Sequence, residues 1–360
     1  MRIAHVTPWD PKTTIGGQER MINDLVAGLR GAKRADVDVF SLDAAETAKF
    51  VRFGKIPALM LLSAKKWDFR DYDLVHLHGW VSEIFLGRRT AAPKLVSMYG
   101  TIAQYMENVK LNPFFAGYNR LTQLRFEQRA CRDASYLTAL AKKQKHEMIE
   151  HYNCPLEKVR AINCGINLRL FSPKGKEESR ERLGLPADAK IALACGRMSI
   201  YHKGFDVLLK LAEAAGNNAT IVVNGTVPDN LKKMMPKNMI ATTTKLQDMP
   251  YLYSGADVLV HPSRYEGFGL VVAEAMACGT PAVAFDTGAA AELIGKGEAG
   301  RLVPDVHDDN GFVDAAMELL AGDDLADAAG RAAIKRASGY GVDAMVDGFY
   351  GYYSEIIQPG

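Results

Sequence analysis

The chain has 360 residues, 48% of them hydrophobic and 24% charged, and its formal net charge is +2. These values exclude a disordered or fibrous chain and predict a globular protein that is long enough for two domains. Its five cysteines are scattered and its apolar runs are strand-sized, so a disulfide framework, a zinc site and a membrane-spanning helix are not expected.

The first half of the chain alternates strand-like and helical segments. Residues 2–6 predict a first strand, which leads through a loop with Gly16 and Gly17 into an amphipathic helix. Further strands are predicted at residues 36–41, 73–78, 94–98 and 136–140, and the longest helix at residues 118–131. This alternation predicts a parallel sheet that is covered on both faces.

The same pattern restarts after residues 171–176, which contain Pro173 and Gly175 and predict a linker. Strands are then predicted at residues 191–195, 220–224, 239–242, 258–261 and 281–284, and a helix starts at residue 343. The chain is therefore predicted to be an α/β protein with two Rossmann-like domains, residues 1–170 and 171–342, that face each other across a cleft.

The segment from His261 to Gly279 carries the strongest chemical signal. A predicted strand ends near His261, a glycine-containing loop follows, and a helix begins near Gly269. Ligands of open α/β sheets bind at such strand ends, and the free N–H groups of a helix start suit a phosphate. Glu266 and Glu274 can accept hydrogen bonds from sugar hydroxyls at different parts of one ligand. Taken alone, Glu274 also fits an early-helix acid favoured by the helix dipole.

A second cluster, residues 195–204, follows the strand predicted at residues 191–195. Arg197 can hold phosphate oxygens with its forked guanidinium, and Lys203 adds a compact positive charge beside Gly204. Such charges would stabilise the negative charge that develops on a departing diphosphate. Two ordinary surface cations are the alternative, but the position at the carboxyl end of a strand favours a phosphate site.

Five motifs follow one another along the chain: Gly16-Gly17-Gln18-Glu19, Gly196-Arg197, Lys203-Gly204, Pro262-Ser263 and Glu266-Gly267-Phe268-Gly269-X4-Glu274. In this order they resemble the retaining GT-B glycosyltransferases of family 4, most strongly within residues 191–303. The resemblance implies a nucleotide-sugar donor, no required metal or other cofactor, and transfer with retention at the anomeric carbon. It also implies that the C-terminal helix, residues 343–360, packs back on the N-terminal domain.

The resemblance further implies roles for individual side chains. Arg197 and Lys203 would bind the donor diphosphate. Glu266 would contact the transferred sugar, and Glu274 would contact the ribose. In the family mechanism the acceptor attacks from the front face and the departing phosphate accepts its proton. Arg197, Lys203 and Glu266 are therefore the expected catalytic residues, and Glu266 is not expected to be a nucleophile.

Backbone groups are also expected to take part in donor binding. By the resemblance, Gly16 and Gly17 form an N-terminal loop that faces the phosphates and the acceptor. The helix start beside Glu266 would help to hold the phosphates and the sugar through the backbone of four residues: Phe268, Gly269, Leu270 and Val271.

The acceptor side departs from the family pattern. Many members carry a histidine near the transferred sugar where Tyr99 stands in this sequence, and a tyrosine is a poor base near neutral pH. His78, at the carboxyl end of a predicted strand, is a second candidate to face the acceptor. His76 alternates with His78 as a metal pair could, but core or turn packing is the favoured interpretation for His76.

Charge is unevenly distributed along the chain. Residues 1–170 hold 26 Lys and Arg against 17 Asp and Glu, a net charge of +9, whereas the remainder holds 18 against 25, a net charge of −7. The basic half suits an anionic partner, such as a lipid surface or a phosphorylated acceptor, and a solvated basic surface is the equal alternative. No nucleic-acid partner is expected.

Residues 49–67 combine apolar and basic side chains in a pattern that fits a helix lying on an anionic membrane. A helix packed on a sheet shows the same pattern and is the favoured interpretation. The N-terminus enters a strand without a secretory layout, so a cytoplasmic location is expected, at the inner face of the membrane if this surface binds lipid.

The predicted function is transfer of a hexose-type sugar from a UDP- or GDP-sugar to a glycan, lipid-linked or small-molecule acceptor. Cell-surface polysaccharide or glycoconjugate synthesis is the expected setting. A GT-B-type sugar-nucleotide epimerase and an inactive partner subunit are the alternatives. The motif from Glu266 to Glu274 favours transfer over epimerisation, whereas only Tyr99 supports an inactive subunit.

Overall fold

The computed structural model describes residues 1–8, 10–12, 16–41, 67–79, 85–86 and 90–358. Its contacts divide the chain into two compact units. The first unit comprises Met1–Gln104, Leu111–Gly165 and Val342–Gly360, and the second comprises Tyr105–Lys110 and Ile166–Gly341. Each unit contains one parallel six-stranded sheet.

The sheet of the first unit follows the alternation read from the sequence. Its strands are β1 (Arg2–Val6), β2 (Asp36–Phe40), β3 (Leu74–His78), β4 (Lys94–Ser97), β5 (Tyr136–Ala139) and β6 (Val159–Ala161). Their order in the sheet is β2-β1-β3-β4-β5-β6. In the register of β1 against β3, His5 lies beside His76.

The helices between these strands are α1 (Gly17–Gly31), α2 (Ile102–Asn108), α3 (Pro113–Leu121), α4 (Gln123–Asp133) and α5 (Lys142–Tyr152). The C-terminal helix (Val342–Ile357) also belongs to the first unit and contacts α1. Gly28 makes this close packing feasible, because a Cβ atom at that position would collide with Val346. The predicted apolar side of the C-terminal helix, including Phe349 and Tyr353, is buried.

Two features of the first unit differ from the sequence prediction. Residues 118–131 do not form one helix, because Thr122 has φ −116° and ψ −82°, which separates α3 from α4. α3 begins earlier, at Pro113, where proline suits the first helical turn and the Asn112 side chain caps the helix. β6 has no counterpart among the predicted strands, because three residues are too few to show a periodic pattern.

The sheet of the second unit also has six parallel strands. They are β7 (Lys190–Cys195), β8 (Ala219–Asn224), β9 (Met239–Thr242), β10 (Val258–His261), β11 (Ala282–Phe285) and β12 (Gly300–Val303). Their order is β12-β11-β10-β7-β8-β9, which is the doubly wound order of a Rossmann fold. The predicted strands at residues 239–242 and 258–261 are confirmed to the residue.

Eight helices of the second unit lie before, between or after these strands in the described part of the chain. They are α6 (Lys176–Leu183), α7 (Phe205–Ala215), α8 (Asp229–Lys232), α9 (Met249–Gly255), α10 (Leu270–Ala277), α11 (Ala290–Ile294), α12 (Asp309–Ala321) and α13 (Asp323–Ala337). An apolar core of the second unit joins α7 and α12 to the sheet through Phe205, Phe285 and Phe312. Of the helices described in either unit, none is long and apolar enough to cross a bilayer.

Candidate active site

The strand order of the second unit reverses between β7 and β10, and ligands of doubly wound folds bind at the carboxyl edge of such a point. Two loops meet there, residues 196–204 after β7 and residues 262–269 after β10. Gly204 permits their close approach, because it has φ +65° and a Cβ atom there would collide with the carbonyl of Pro262. The approach brings Lys203 beside Glu266.

Lys203, His261 and Glu266 form a charged cluster at this edge. Lys203 Nζ donates to Glu266 Oε1 at 2.5 Å, and His261 Nε2 lies 3.1 Å from the same oxygen. The side chains of Lys203 and Glu266 keep 25% and 17% of their surface exposed. The cluster can therefore be reached by a ligand, while neighbouring protein atoms shield it from most of the solvent.

The environment of Glu266 keeps its carboxyl group ionised. Burial alone raises the pKa of this group, but the charge of Lys203 and the hydrogen bond from His261 together lower the pKa well below its usual range. Burial and the charge of Lys203 also lower the pKa of the neighbouring His202. Glu266 is thus an anionic hydrogen-bond acceptor, held by groups that can also interact with an anionic ligand.

The start of α10 forms another part of the same edge. Gly269 has φ +99°, a backbone conformation that favours glycine, and no side chain caps the helix. Phe268 is buried, and Leu270 and Val271 are half-buried. The first N–H groups of a helix lack intrahelical partners and attract anions, so this terminus can contribute backbone donors to the site.

The structure places Arg197 and Glu274 in contrasting environments. Arg197 is exposed after β7 and forms no ion pair with any residue that the structure describes. Glu274 is buried in α10, where its Oε2 accepts a hydrogen bond from the Tyr253 hydroxyl at 2.8 Å. Burial raises the pKa of the Cys278 thiol to about 12, and the charge of Glu274 adds to this effect.

Arg264 is a structural residue of this site that the sequence analysis did not single out. Its side chain is buried, and its guanidinium contacts Asp206 at 2.9 Å and Asp309 at 2.6 Å. It also donates to the carbonyls of Tyr201 and Val306. Arg264 therefore ties the loop that carries Glu266 to the loop that carries Lys203 and to the start of α12. Its position two residues before Glu266 is the only sequence signal.

Tyr105 and Asn108 were also missed, because they lie far from the site in sequence. The Tyr105 ring lies 5.2 Å from the rings of both His202 and Tyr265 in edge-on contacts. Asn108 Nδ2 donates to the carbonyl of Arg264 at 2.9 Å. These contacts, all within the second unit, support the loops on either side of the Lys203–Glu266 pair.

The remaining predicted residues lie in the first unit. Gly16 and Gly17 stand at the start of α1, where a Cβ atom on Gly16 would collide with the carboxyl group of Glu19. His78 ends β3 with no exposed surface, and its Nδ1 lies 2.7 Å from the hydroxyl oxygen of half-buried Tyr99. Roles of His78 and Tyr99 on the acceptor side stay predictions.

Three histidines on β1 and β3 form a buried cluster around His78. His5 Nδ1 lies 2.9 Å from His78 Nε2, and His76 is hydrogen-bonded to Tyr353 and Ser97. Burial lowers the pKa of His5 to about 3 and holds the pKa values of His76 and His78 well below the usual range. Ligand atoms of the three rings lie within 4.8 Å of one another, but both ring nitrogens of His76 already have partners.

Two family models match the chain. The model described as "Glycosyltransferase Family 4" matches residues 15–170, and the model described as "Glycosyl transferases group 1" matches residues 175–336. The chain belongs to the group 1 glycosyltransferases of family 4. The predicted family is thereby confirmed, and the charged edge of the second unit lies within the segment that matches the group 1 model.

Curated relatives include other glycosyltransferases of this family. A D-inositol 3-phosphate glycosyltransferase of Thermobispora bispora is 31% identical over 309 residues, which cover 80% of this chain and 71% of that protein. A D-inositol 3-phosphate glycosyltransferase of Mycolicibacterium smegmatis is 29% identical over 302 residues, which cover 79% of this chain and 68% of that protein. These similarities support glycosyltransferase activity for this member of the family.

Solved structures confirm the GT-B fold of this glycosyltransferase. Sucrose-phosphate synthase from Thermosynechococcus elongatus has a TM-score of 0.82 at 21% identity, and the match covers 100% of both chains. Anabaena HepE, in a complex with UDP and glucose, has a TM-score of 0.74 at 19% identity, with 98% of this chain and 99% of that chain covered. At such identities the likeness concerns the fold alone.

Proposed function

We propose that this glycosyltransferase transfers a hexose-type sugar from a nucleotide-diphosphate sugar with retention at the anomeric carbon. The main support for a donor site at this position is the pairing of Lys203 with Glu266 at 2.5 Å. The pair lies at the point where the strand order of the second sheet reverses. A carboxylate, two cations and a free helix start at one sheet edge match the chemistry of a sugar diphosphate.

In this proposal Arg197 and Lys203 bind the diphosphate and stabilise its charge as it departs. Arg197 is exposed and has no ion-pair partner in the described part of the chain, so it can reach a phosphate without breaking a salt bridge. Lys203 has Glu266 as its partner, and a bound diphosphate would share its charge. Glu266 stays ionised and accepts hydrogen bonds from the sugar, while Glu274 approaches the ribose.

We propose UDP as the donor nucleotide, with GDP as the alternative. The support comes from the HepE complexes, which contain UDP or UDP-glucose in a protein of the same fold. Residues 242–246 follow β9 at the same carboxyl edge, and the Thr244 N–H donates to Asn224 Oδ1 at 2.9 Å. In this proposal the segment contacts the base, and no metal is assigned a role in donor binding.

We propose a phosphorylated acceptor. The first support is the relatives, which are named as acting on D-inositol 3-phosphate, and the second is the basic N-terminal half, which suits an anionic group. A glycan or lipid-linked acceptor in cell-surface polysaccharide or glycoconjugate synthesis is the alternative, with the enzyme at the inner face of the membrane. The acceptor panel must therefore contain inositol phosphates as well as lipid-linked saccharides.

Donor binding is the first experiment, because it does not require the acceptor to be known. Thermal unfolding is recorded with UDP, GDP and their hexose conjugates, since a ligand that binds only the folded chain raises its stability. One base should give a clear shift. Lys203→Met and Arg197→Met should each reduce that shift, while Lys210→Met, which removes an exposed lysine paired with Asp309, serves as the control.

Transfer is then tested with the donor that binds. A product whose anomeric proton shows the configuration of the donor supports retention, and the opposite configuration contradicts it. Conversion of the donor alone into an isomer would identify an epimerase instead. Donor binding without turnover across the whole acceptor panel would identify an inactive partner subunit.

A further inference from the structure

A buried tyrosine of α9 contacts one of the carboxylates of the candidate active site. The Tyr253 hydroxyl donates to Glu274 Oε2 at 2.8 Å, and the two residues are 0% and 2% exposed. A hydrogen bond that a carboxylate accepts is stronger than one between neutral groups. The two residues stand 21 positions apart in the chain, so no local sequence pattern joins them.

The fold holds Tyr253 in place through its backbone and its ring. The Tyr253 carbonyl accepts from Thr280 Oγ1 at 2.6 Å, in the segment that follows α10. The centre of its ring lies 6.0 Å from that of Phe171. Because α9 also packs against α10, the hydroxyl group is held at a defined distance from the Glu274 carboxylate.

The face of α9 that carries Tyr253 also supports the carboxyl edge of the sheet. Met249 precedes Tyr253 by four positions, which places the two side chains on one side of the helix. Asn224, the last residue of β8, donates from Nδ2 to Met249 Sδ at 3.3 Å. Its Oδ1 accepts from the Thr244 N–H, in the segment proposed to contact the base. α9 therefore contacts groups beside both the proposed base site and the proposed ribose site.

A buried thiol belongs to the same cluster. Cys195 ends β7 and lies beside Asn224 in the register of β7 against β8. Burial and the charge of Glu274 raise the pKa of the Cys195 thiol, whereas hydrogen bonds with Asn224 and Tyr253 act to lower it. The net effect keeps the thiol protonated, so Cys195 adds a hydrogen-bonding group but no charge to the surroundings of Glu274.

We propose that Tyr253 is a positioning residue for donor binding, which holds the Glu274 carboxylate in the orientation that accepts hydrogen bonds from the ribose hydroxyls. The inference rests on the proposed donor site and adds the group that orients one of its carboxylates. A carboxylate offers about four lone-pair positions on two oxygens, so Glu274 can accept from Tyr253 and from a ligand at the same time. Tyr253 is fully buried, so it acts through the carboxylate and is not a catalytic residue.

A purely structural pair is the alternative, in which Tyr253 and Glu274 only stabilise the packing of α9 on α10. A structural pair contributes to the free energy of unfolding alone. A positioning residue also changes how strongly the chain distinguishes a ribose from a deoxyribose. The ratio of two dissociation constants measures this distinction, because losses that are common to both nucleotides cancel in it.

The test is calorimetric titration of the full chain with UDP and with its 2′-deoxy and 3′-deoxy forms, and with the corresponding guanosine diphosphates in parallel. The native chain should bind the ribonucleotide about tenfold more tightly than at least one deoxy form, which lacks a hydrogen bond to a charged group. Tyr253→Phe should lower this preference at least about threefold, since the carboxylate loses the donor that orients it. Its affinity for the deoxy form should stay as in the native chain.

Two further variants serve as comparisons. Tyr251→Phe removes a hydroxyl group from the same helix, where the Tyr251 ring lies against Arg182, and it should leave the ribose preference unchanged. Glu274→Gln should abolish most of the preference by itself, and adding Tyr253→Phe should then have no further effect on it. Such non-additivity is expected of two residues that act as one unit.

Thermal unfolding of each variant is followed separately from binding. Tyr253→Phe keeps the ring that packs beside Phe171, so the chain should fold with a modest loss of stability. A loss of stability with an unchanged ribose preference would identify a structural pair and overturn the proposal. A native chain that does not distinguish ribose from deoxyribose would also overturn it, while the proposed donor site would stand. Binding of neither UDP nor GDP would instead contradict the donor site itself, and the positioning role with it.

Discussion

Each unit has a polar cluster at the point where the strand order of its sheet reverses. The cluster of the second unit is charged and partly exposed, whereas that of the first unit is uncharged and buried. In the second unit the strand order reverses between β7 and β10, and the cluster there contains Lys203 and ionised Glu266 with part of their surface exposed. In the first unit the order reverses between β1 and β3, and the cluster there contains His5, His76 and His78 with no exposed surface.

The difference shows that the charge state of a shielded titratable group depends on the partners that it has. Glu266 is shielded, yet it keeps its charge because two partners stabilise that charge. The hydrogen-bond partners described for the three imidazoles are neutral, so burial favours their uncharged forms. The cluster of the second unit can thus interact with a charged ligand. The cluster of the first unit is a hydrogen-bonded core that holds β1, β3 and the C-terminal helix together.

The largest expected effect is on stability, at Arg264. Arg264→Met should lower the free energy of unfolding by about 3–5 kcal/mol, because it removes the buried guanidinium from Asp206 and from the carbonyls of Tyr201 and Val306, while Asp309 keeps Lys210. Urea unfolding measures the change, with the exposed Arg331→Met as the control. A loss below about 1 kcal/mol would show that the guanidinium does not brace these loops.

The next effect is on catalysis, at Glu266. Glu266→Gln should lower turnover about a hundredfold or more. The amide lacks the negative charge that pairs with Lys203 and that strengthens the hydrogen bonds which the carboxylate accepts from the sugar. The rate is measured with the donor that gives the thermal shift. Glu213→Gln, at an exposed position of α7, is the control. Turnover close to the native rate would show that Glu266 is not a catalytic residue.

The buried histidines predict a pH dependence of stability. The pKa of His5 is about 3 in the folded chain, below its ordinary value of 6.5, so the unfolded chain binds the additional proton between these values. Its contribution to stability is complete above pH 6.5 and is lost as pH falls. From pH 8 to pH 5, His5 alone should lower the free energy of unfolding by about 2 kcal/mol.

This prediction is measured by urea unfolding at several pH values. The charge of Arg30 acts in the same direction as burial on His5, and His76 and His78 add to the slope, because the pKa of each is also lowered. His5→Gln should flatten the dependence, and His146→Gln at an exposed position is the matched substitution. A slope that His5→Gln leaves unchanged would contradict the assignment to this cluster.

The smallest effect separates a structural role of Tyr99 from a role on the acceptor. Tyr99→Phe removes the hydroxyl group that lies 2.7 Å from His78 Nδ1 and should cost about 1 kcal/mol of unfolding free energy. If the hydroxyl group serves only the core, the KM for the acceptor stays unchanged. A large rise in that KM, with only a small loss of stability, would instead place Tyr99 at the acceptor.

Much of the fold could be predicted from the sequence. Parallel strands buried on both faces read as apolar runs, as in the strand at residues 258–261. The edge strand at residues 239–242 is partly exposed, and it stands out because polar residues flank it. β6 was not predicted because it is only three residues long. The break at Thr122 was not predicted because neither a proline nor a glycine stands there. The separate helix α3 therefore emerged only from the structure.

The candidate site could be predicted in part. Glycines and charges after strands predicted Arg197, Lys203 and Glu266 as residues of one edge, and the structure brings Lys203 and Glu266 into contact. Whether they bind the donor stays a prediction. Arg264 and Tyr105 could not be found, because their contacts join segments that are distant along the chain and follow no spacing rule.

The sequence by itself determined the strand and helix alternation, the family motifs and the excess of positive charge in residues 1–170. These features are local or additive, so they do not depend on how distant segments meet. Only the tertiary structure decided which side chains are buried, paired or exposed. It favours the neutral forms of His5, His76 and His78 and the ionised form of Glu266, because burial and pairing depend on neighbours that folding brings together.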